Sequence, residues 1–220
     1  MKRLVTIALA AVALRAAPSE AKRFTNDVTK TARRGDVASQ YVLRADGSLL
    51  RQIGRNLCQV TSDVEEFKVA QHPSDPTAIY IVRKGALEAL TVTDDTLAAS
   101  ACPRATLQTL IPALDRADGE WTYKVVDRKD TPLSLVAKDT RGRVTAWDQE
   151  GVAVSIEGAV DLAINPCFGS KKSFSSYVAF LLDRDGRVAK IGGKDPRRSK
   201  PDTQRYESLD AFRGVNQVCR

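Results

Sequence analysis

Tyr177 to Gly193 reads YVAFLLDRDGRVAKIGG. An apolar, β-prone arm runs into a charged DRDG turn, and a second arm of alternating apolar residues leads out of it. Glycine supplies the positive φ that a tight hairpin turn needs. The alternation predicts a hairpin with one face in a core and one in solvent. The pattern occurs three more times upstream: YVLRADGSLLRQI around Gly47, IYIVRKGALEAL around Gly85 and LVAKDTRGRVTAW around Gly142. In each, an apolar residue stands two places after the glycine: Leu49, Leu87, Val144 and Val188.

A second element alternates with the hairpins. VEEFKVA around Phe67, EWTYKVV around Tyr123, AVDLAIN around Leu162 and LDAFRGV around Phe212 each read as one short strand with an apolar centre. The unit of strand, loop and hairpin recurs at roughly 40 to 55 residues, in or near the range of propeller repeats. Tyr41 to Val215 resembles β-propeller repeat proteins in general, on AIYIVRKGALEAL and YVAFLLDRDGRVAKIGG. A small four-membered ring is similar to the haemopexin-type layout, although that family's signature residues are absent, as are WD and Kelch motifs. The resemblance implies an all-β domain, a four-bladed β-propeller-like repeat. A β-sandwich or irregular barrel built from the same hairpins is the alternative. The first hairpin lacks a preceding strand and the last strand lacks a hairpin. A ring closed by pairing the Phe212 strand with the Gly47 hairpin is therefore expected, which would leave few exposed sheet edges.

The N-terminus is organised differently. Lys2 and Arg3 precede the apolar run LVTIALAAVAL, and APSEA follows, with Ser19 and Ala21 suited to a signal peptidase. The run is too short for a bilayer, which takes about 20 residues, and fits a cleavable signal peptide over residues 1–21. Residues 22–40 are polar and without periodicity, and read as a flexible arm before the domain at 41–220. Cys58, Cys102, Cys167 and Cys219 all follow the signal segment. In an exported protein an even count reads as two disulfides. Cys58–Cys102 with Cys167–Cys219 is the expected pairing, and Cys58–Cys219 with Cys102–Cys167 the runner-up. A periplasmic or extracellular location is expected.

Few residues suggest chemistry. His72, in QHPSDP, is the only histidine and reads as a turn residue. Asp183 and Asp185 of DRDG and Asp46 of ADG stand at turn glycines, where Asp is explained by turn chemistry and not by a calcium loop. Asp94, Asp95 and Asp118 show no supporting spacing. Trp121 and Trp147 are read as packing between repeats. No cofactor or metal is expected: no cysteine pair has zinc-type spacing. The formal charge of +7 favours acidic partners. The run KDPRRSK, with Lys194, Arg197, Arg198 and Lys200, is the candidate contact surface for phosphate, sulfate or carboxylate. With only 6% aromatic residues and none interleaved, the run speaks against nucleic acid. These features imply a non-catalytic binding or interaction module whose partner is a protein or an anionic glycan or surface ligand. The rivals are a hydrolase or lyase with its site in a central funnel, and a structural component or inhibitor of an envelope assembly.

Overall fold

A computed structural model describes residues 28–34, 37–53, 55–70, 78–92, 105–126, 131–148, 150–171, 174–196 and 201–218. The protein is all-β, with several open antiparallel sheets and one short helix. Four sheets succeed one another along the chain, each a four-stranded meander of consecutive strands. The first holds β1 (Val28–Arg34), β2 (Val37–Leu43), β3 (Leu49–Ile53) and β4 (Asn56–Thr61). The second holds β5 (Val64–Ala70), β6 (Ala78–Arg83), β7 (Ala86–Val92) and β8 (Ala105–Ile111). A small ribbon, β9 (Arg116–Ala117) and β10 (Glu120–Trp121), precedes the third: β11 (Tyr123–Val125), β12 (Leu133–Lys138), β13 (Val144–Asp148) and β14 (Gly151–Ile156). The fourth holds β15 (Ala159–Ile164), β16 (Tyr177–Asp183), β17 (Arg187–Gly192) and β18 (Pro201–Arg205). Helix α1 (Leu209–Val215) ends the described chain but for the turn after it.

The four hairpins are found as read: β2–β3, β6–β7, β12–β13 and β16–β17. Three of the single strands are also found, as β5, β11 and β15. The last is corrected. Leu209–Val215 is a helix, and β2 pairs instead with its own preceding strand, β1, so the Phe212 segment does not pair with the Gly47 hairpin. Helix formation has local causes. The Ser208 side chain caps the first turn by accepting from Ala211 N at 3.1 Å, and Asp210 lies in that turn. Leu209 and Phe212, three residues apart, share the buried face. Within the arm read at residues 22–40, Val28–Arg34 is strand β1 and the chain from Val37 on belongs to strand β2; residues 22–27 and 35–36 lie outside the described residues.

Each hairpin glycine ties its sheet to the next segment of chain. The carbonyl of Gly47 accepts from Val64 N (2.9 Å), Gly85 from Leu114 N (2.7 Å), Gly142 from Ala159 N (2.9 Å) and Gly186 from Tyr206 N (2.7 Å). Burial then runs from sheet to sheet. Tyr41, Leu43 and Leu49 pack with Phe67 and Ile81 between the first and second sheets. Tyr80, Val82 and Leu87 pack with Tyr123, Leu135 and Trp147 between the second and third. Val136, Val144 and Ala146 pack with Leu162, Val178 and Ile191 between the third and fourth. The other face of the fourth sheet, through Phe180, Leu182 and Val188, is covered by Leu209 and Phe212 of α1. Trp147 is buried and Trp121 packs against the same cluster, so both tryptophans lie between sheets.

Cys58 and Cys167 are disulfide-bonded, and no described cysteine is free. The pairing read from sequence falls on Cys102 and Cys219, which lie outside the described residues, as does the signal segment at residues 1–21. Among the described residues no helix is long and apolar enough to cross a membrane.

Candidate functional site

The strands that open the first three sheets each carry a lysine: Lys30, Lys68 and Lys124. β1 lies against β5, and β5 against β11. Lys30 on β1 reaches across to the second sheet, where its Nζ donates to Phe67 O at 2.6 Å and stands 4.8 Å from the Phe67 ring centroid. Lys68 on β5 repeats this one sheet further on, with its Nζ 4.2 Å from the Tyr123 ring centroid. A cation over an aromatic face is attracted by the ring quadrupole, more strongly as water is excluded. The two lysines thus cap equivalent rings on successive opening strands.

Glu66 links the second pair. Its Oε1 stands 3.0 Å from Lys68 Nζ and accepts from the Tyr123 hydroxyl at 3.0 Å. Burial, with the Glu66 charge adding to it, pushes the Tyr123 phenol far above its ordinary range, so it stays a neutral donor to this carboxylate. Burial holds the Lys30 amine below its usual value. Glu66 opposes that shift and Lys68 reinforces it. Lys30, Lys68 and Glu66 therefore lie in one neighbourhood, with Glu65, Arg116 and Glu120 lining the cleft beside them.

Beside Glu66 and Lys68 opens a cleft of about 260 Å³ that reaches Glu65, Arg116, Glu120 and Trp121. Its groups are mostly engaged with one another. Arg116 Nε donates to Gly119 O at 2.9 Å and its guanidinium lies 5.1 Å from the Trp121 ring centroid, while Glu65 accepts from Gly85 N at 3.2 Å. Among the described residues no three His, Cys, Asp or Glu side chains are grouped to hold a metal ion.

A second cavity, of about 320 Å³, lies where β11 meets β15. Val125, Val126, Ile164, Pro166, Phe168 and Val178 line it, with Lys124 and Asn165 as its polar members. The Asn165 amide donates to Phe174 O and Tyr177 O, both at 2.8 Å, and its Oδ1 accepts from Cys167 N at 3.0 Å. It is therefore a structural clasp of the 165–177 loop. Lys124 is exposed at the rim.

The sequence-derived surface is seen only in part. Lys194 is exposed, and Arg197, Arg198 and Lys200 lie outside the described residues, as do His72, Asp94 and Asp95. Asp118 is an exposed residue of the β9–β10 turn with φ of 50°. Asp183 accepts from Asp185 N and Arg187 N, both at 2.8 Å, and Asp46 from Ser48 N at 2.9 Å, so both serve their turns. The lysines on the opening strands were missed. The available signal was a lysine next to the apolar centre of successive units, in EFKVA and TYKVV, which reads as ordinary alternation until the rings opposite are known. No known family matches this chain, and no curated protein matches it.

Proposed function

We propose that this chain is an exported, non-catalytic binding module for an anionic partner, with its four sheets set around a common axis as blades and their opening strands innermost. The observation that carries the binding reading is the row of lysines on those strands: Lys30 on β1, Lys68 on β5 and Lys124 on β11, with Glu66 as the carboxylate that Lys68 pairs with. Lysine ammonium groups attract anions and steer them in. The radial arrangement is supported by identical strand order in all four sheets and by the contacts of β1 with β5 and of β5 with β11. The basic loop at Lys194, Arg197, Arg198 and Lys200 is the rival contact surface. Heparin, a sulfated glycan, is a suitable ligand at low ionic strength. The protein is expected to elute from it at lower salt when Lys30 and Lys68 are both changed to Gln, with the melting transition recorded alongside. A drop seen only in a loop variant of all four basic residues would move the contact to the loop, and no retention of the unmodified protein would remove the anionic partner altogether.

Export is supported by the tripartite segment from Met1 to Ala21 and by the disulfide bonds of Cys58 and Cys167. Flanking residues favour one pairing. Val218 packs in the cluster with Phe174 and Tyr177, and Arg213 Nη2 donates to Ile164 O at 3.0 Å, so the chain preceding Cys219 runs close to the Cys167 loop. Ala105, soon after Cys102, and Val60, on the strand that holds Cys58, pack against the same core cluster. A non-reducing peptide map of protein from its native host should show Cys167–Cys219 and Cys58–Cys102, and its intact mass should place the mature N-terminus near Lys22. Retention of Met1 to Leu14, or four free thiols, would contradict export.

A further inference from the structure

We infer that the cleft between β5 and the β9–β10 ribbon binds a small zwitterion, an α-amino acid whose ammonium group meets Glu65 and Glu120 and whose carboxylate meets Arg116. The cleft exists because one sheet junction departs from the repeat. Ser62 and Asp63 alone join β4 to β5, and Glu157 and Gly158 alone join β14 to β15, but residues 112–122 separate β8 from β11. Backbone bonds show what the extra chain is. Val64 N, Leu114 N and Ala159 N each donate to the turn glycine of the preceding hairpin. They stand opposite Arg83, Asp139 and Asp183. In β5 one bulged residue, Glu65, follows before pairing resumes at Glu66, and in β15 one, Val160, before Asp161. After Leu114 the chain makes one further bond to β12, from Asp115 N to Lys138 O at 2.9 Å. It returns at Thr122, whose carbonyl accepts from Lys138 N at 3.0 Å. The ribbon is thus an excursion at the position of a β-bulge, and bulges re-aim side chains beside functional sites.

The excursion stands over Glu65. That side chain belongs to a residue 5% exposed, whereas Val160, its counterpart in β15, is 48% exposed. Glu65 Oε1 accepts from Gly85 N at 3.2 Å, and Trp121 stands beside the same glycine, its Cη2 3.8 Å from a Cβ built there. A carboxylate so buried ordinarily has a cation as partner. Among the described residues no Lys or Arg pairs with Glu65 or with Glu120. Glu66 and Lys68 neutralise each other at 3.0 Å. Arg116 gives its Nε to Gly119 O, and among the described residues its guanidinium meets no carboxylate. Two carboxylates and one guanidinium therefore remain around about 260 Å³. A simple anion would face Glu65 and Glu120, and a simple cation would face Arg116 and Lys68. A small molecule with one ammonium and one carboxylate satisfies both signs through charge-assisted hydrogen bonds. The ribbon is held ready for it. Asp118 and Gly119 take the positive φ of a two-residue hairpin turn, and at the base Lys138 Nζ holds Asp115 at 2.6 Å.

This site goes beyond the anion-binding reading and does not depend on it, since it uses neither Lys30 nor Lys124 and takes Lys68 only as the partner of Glu66. The standard L-amino acids are added one at a time to the full disulfide-bonded protein. The backbone amides of Gly85 and Gly119 and the indole N–H of Trp121 are followed by NMR. At least one amino acid is expected to shift all three signals. Its decarboxylated amine and its deaminated acid, each lacking one charge, are expected to bind about tenfold more weakly, the scale of one charge-assisted hydrogen bond. Glu65→Gln keeps an oxygen for Gly85 N and removes the charge, and is expected to weaken binding by a similar factor. Arg116→Gln and Glu120→Gln change exposed residues of the ribbon, so they carry the test if the Glu65 variant is unstable. If no amino acid moves the three signals, the site is overturned. If the amine or the acid binds as tightly as its parent, the zwitterion is overturned. Unchanged binding by both ribbon variants would remove the assigned contacts. Absence of heparin retention with amino-acid binding intact would remove the anionic partner and leave this site standing.

Discussion

Gly142→Ala is expected to destabilise the protein by about 2–4 kcal/mol, adding a left-handed backbone penalty to an overpacked contact. Gly142 has φ of +80°, and a Cβ built there would lie 2.5 Å from Ala159 O. The obstacle is backbone, so it cannot swing aside as a side chain would. The same glycine accepts from Ala159 N at 2.9 Å, the bond by which the β12–β13 hairpin holds the entry to the fourth sheet. A methyl group must therefore push apart two segments that a hydrogen bond draws together. Gly119→Ala is the matched control. Its φ is also +80°, but nothing lies within 4 Å of a built Cβ. It is expected to lose only the backbone part, about 1–2 kcal/mol. Urea midpoints at constant slope measure both. Equal losses for the two would mean that the close approach to Ala159 contributes nothing.

The hairpin glycines were legible because two demands coincide on one residue. A turn needs positive φ, and at Gly142 and Gly186 the next segment also needs room beside it; both leave glycine in the sequence. The central strands were legible for a similar reason. YVAFLLD carries apolar residues because both faces of its sheet are covered, by the third sheet on one side and by α1 on the other, as the fully buried Ala179 and Phe180 show. The outer strands left no such mark. β18 reads PDTQR, with Pro201 and no large apolar side chain, which suits an edge that makes bonds on one side only. β1 reads VTKTARR, whose charges conceal a strand that lies inside the repeat. β1 and β18 were thus invisible to alternation, although the repeat they complete was visible.

The candidate site was illegible for a different reason. Lys30, Lys68 and Lys124 become a row only once successive strands are laid side by side, and lysine on a half-exposed strand is common in itself. The contrast among the three junctions depends on which residue stands opposite each lysine. Phe67 and Tyr123 stand opposite the first two, and the equivalent position of the next opening strand is Leu162. Spacing along the chain carries no trace of that difference.

Phe212→Ala is expected to cost about 3–5 kcal/mol, the range for emptying a buried aromatic site. The Phe212 side chain is 0% exposed, and its ring lies 5.1 Å from Phe180, 5.2 Å from Tyr206 and 5.9 Å from Phe174, centroid to centroid. These contacts hold a helix of only seven residues. Helices shorter than about 12–15 residues are marginal in water without tertiary packing. Loss of the ring should therefore unseat α1 and not merely leave a hole. The fourth sheet has no other described element over this face, so Phe180, Leu182 and Val188 would meet water when the helix leaves. Two readouts separate a hole from a lost helix. A filled-in or empty cavity lowers the urea midpoint but leaves the α1 amides protected from hydrogen exchange. An unseated helix lowers the midpoint and exposes the amides from Phe212 to Asn216 as well. Phe212→Leu, which keeps most of the apolar volume, should retain protection. If the alanine variant cost less than about 1 kcal/mol, well below the usual range for such a deletion, α1 would not be the cover of the last sheet.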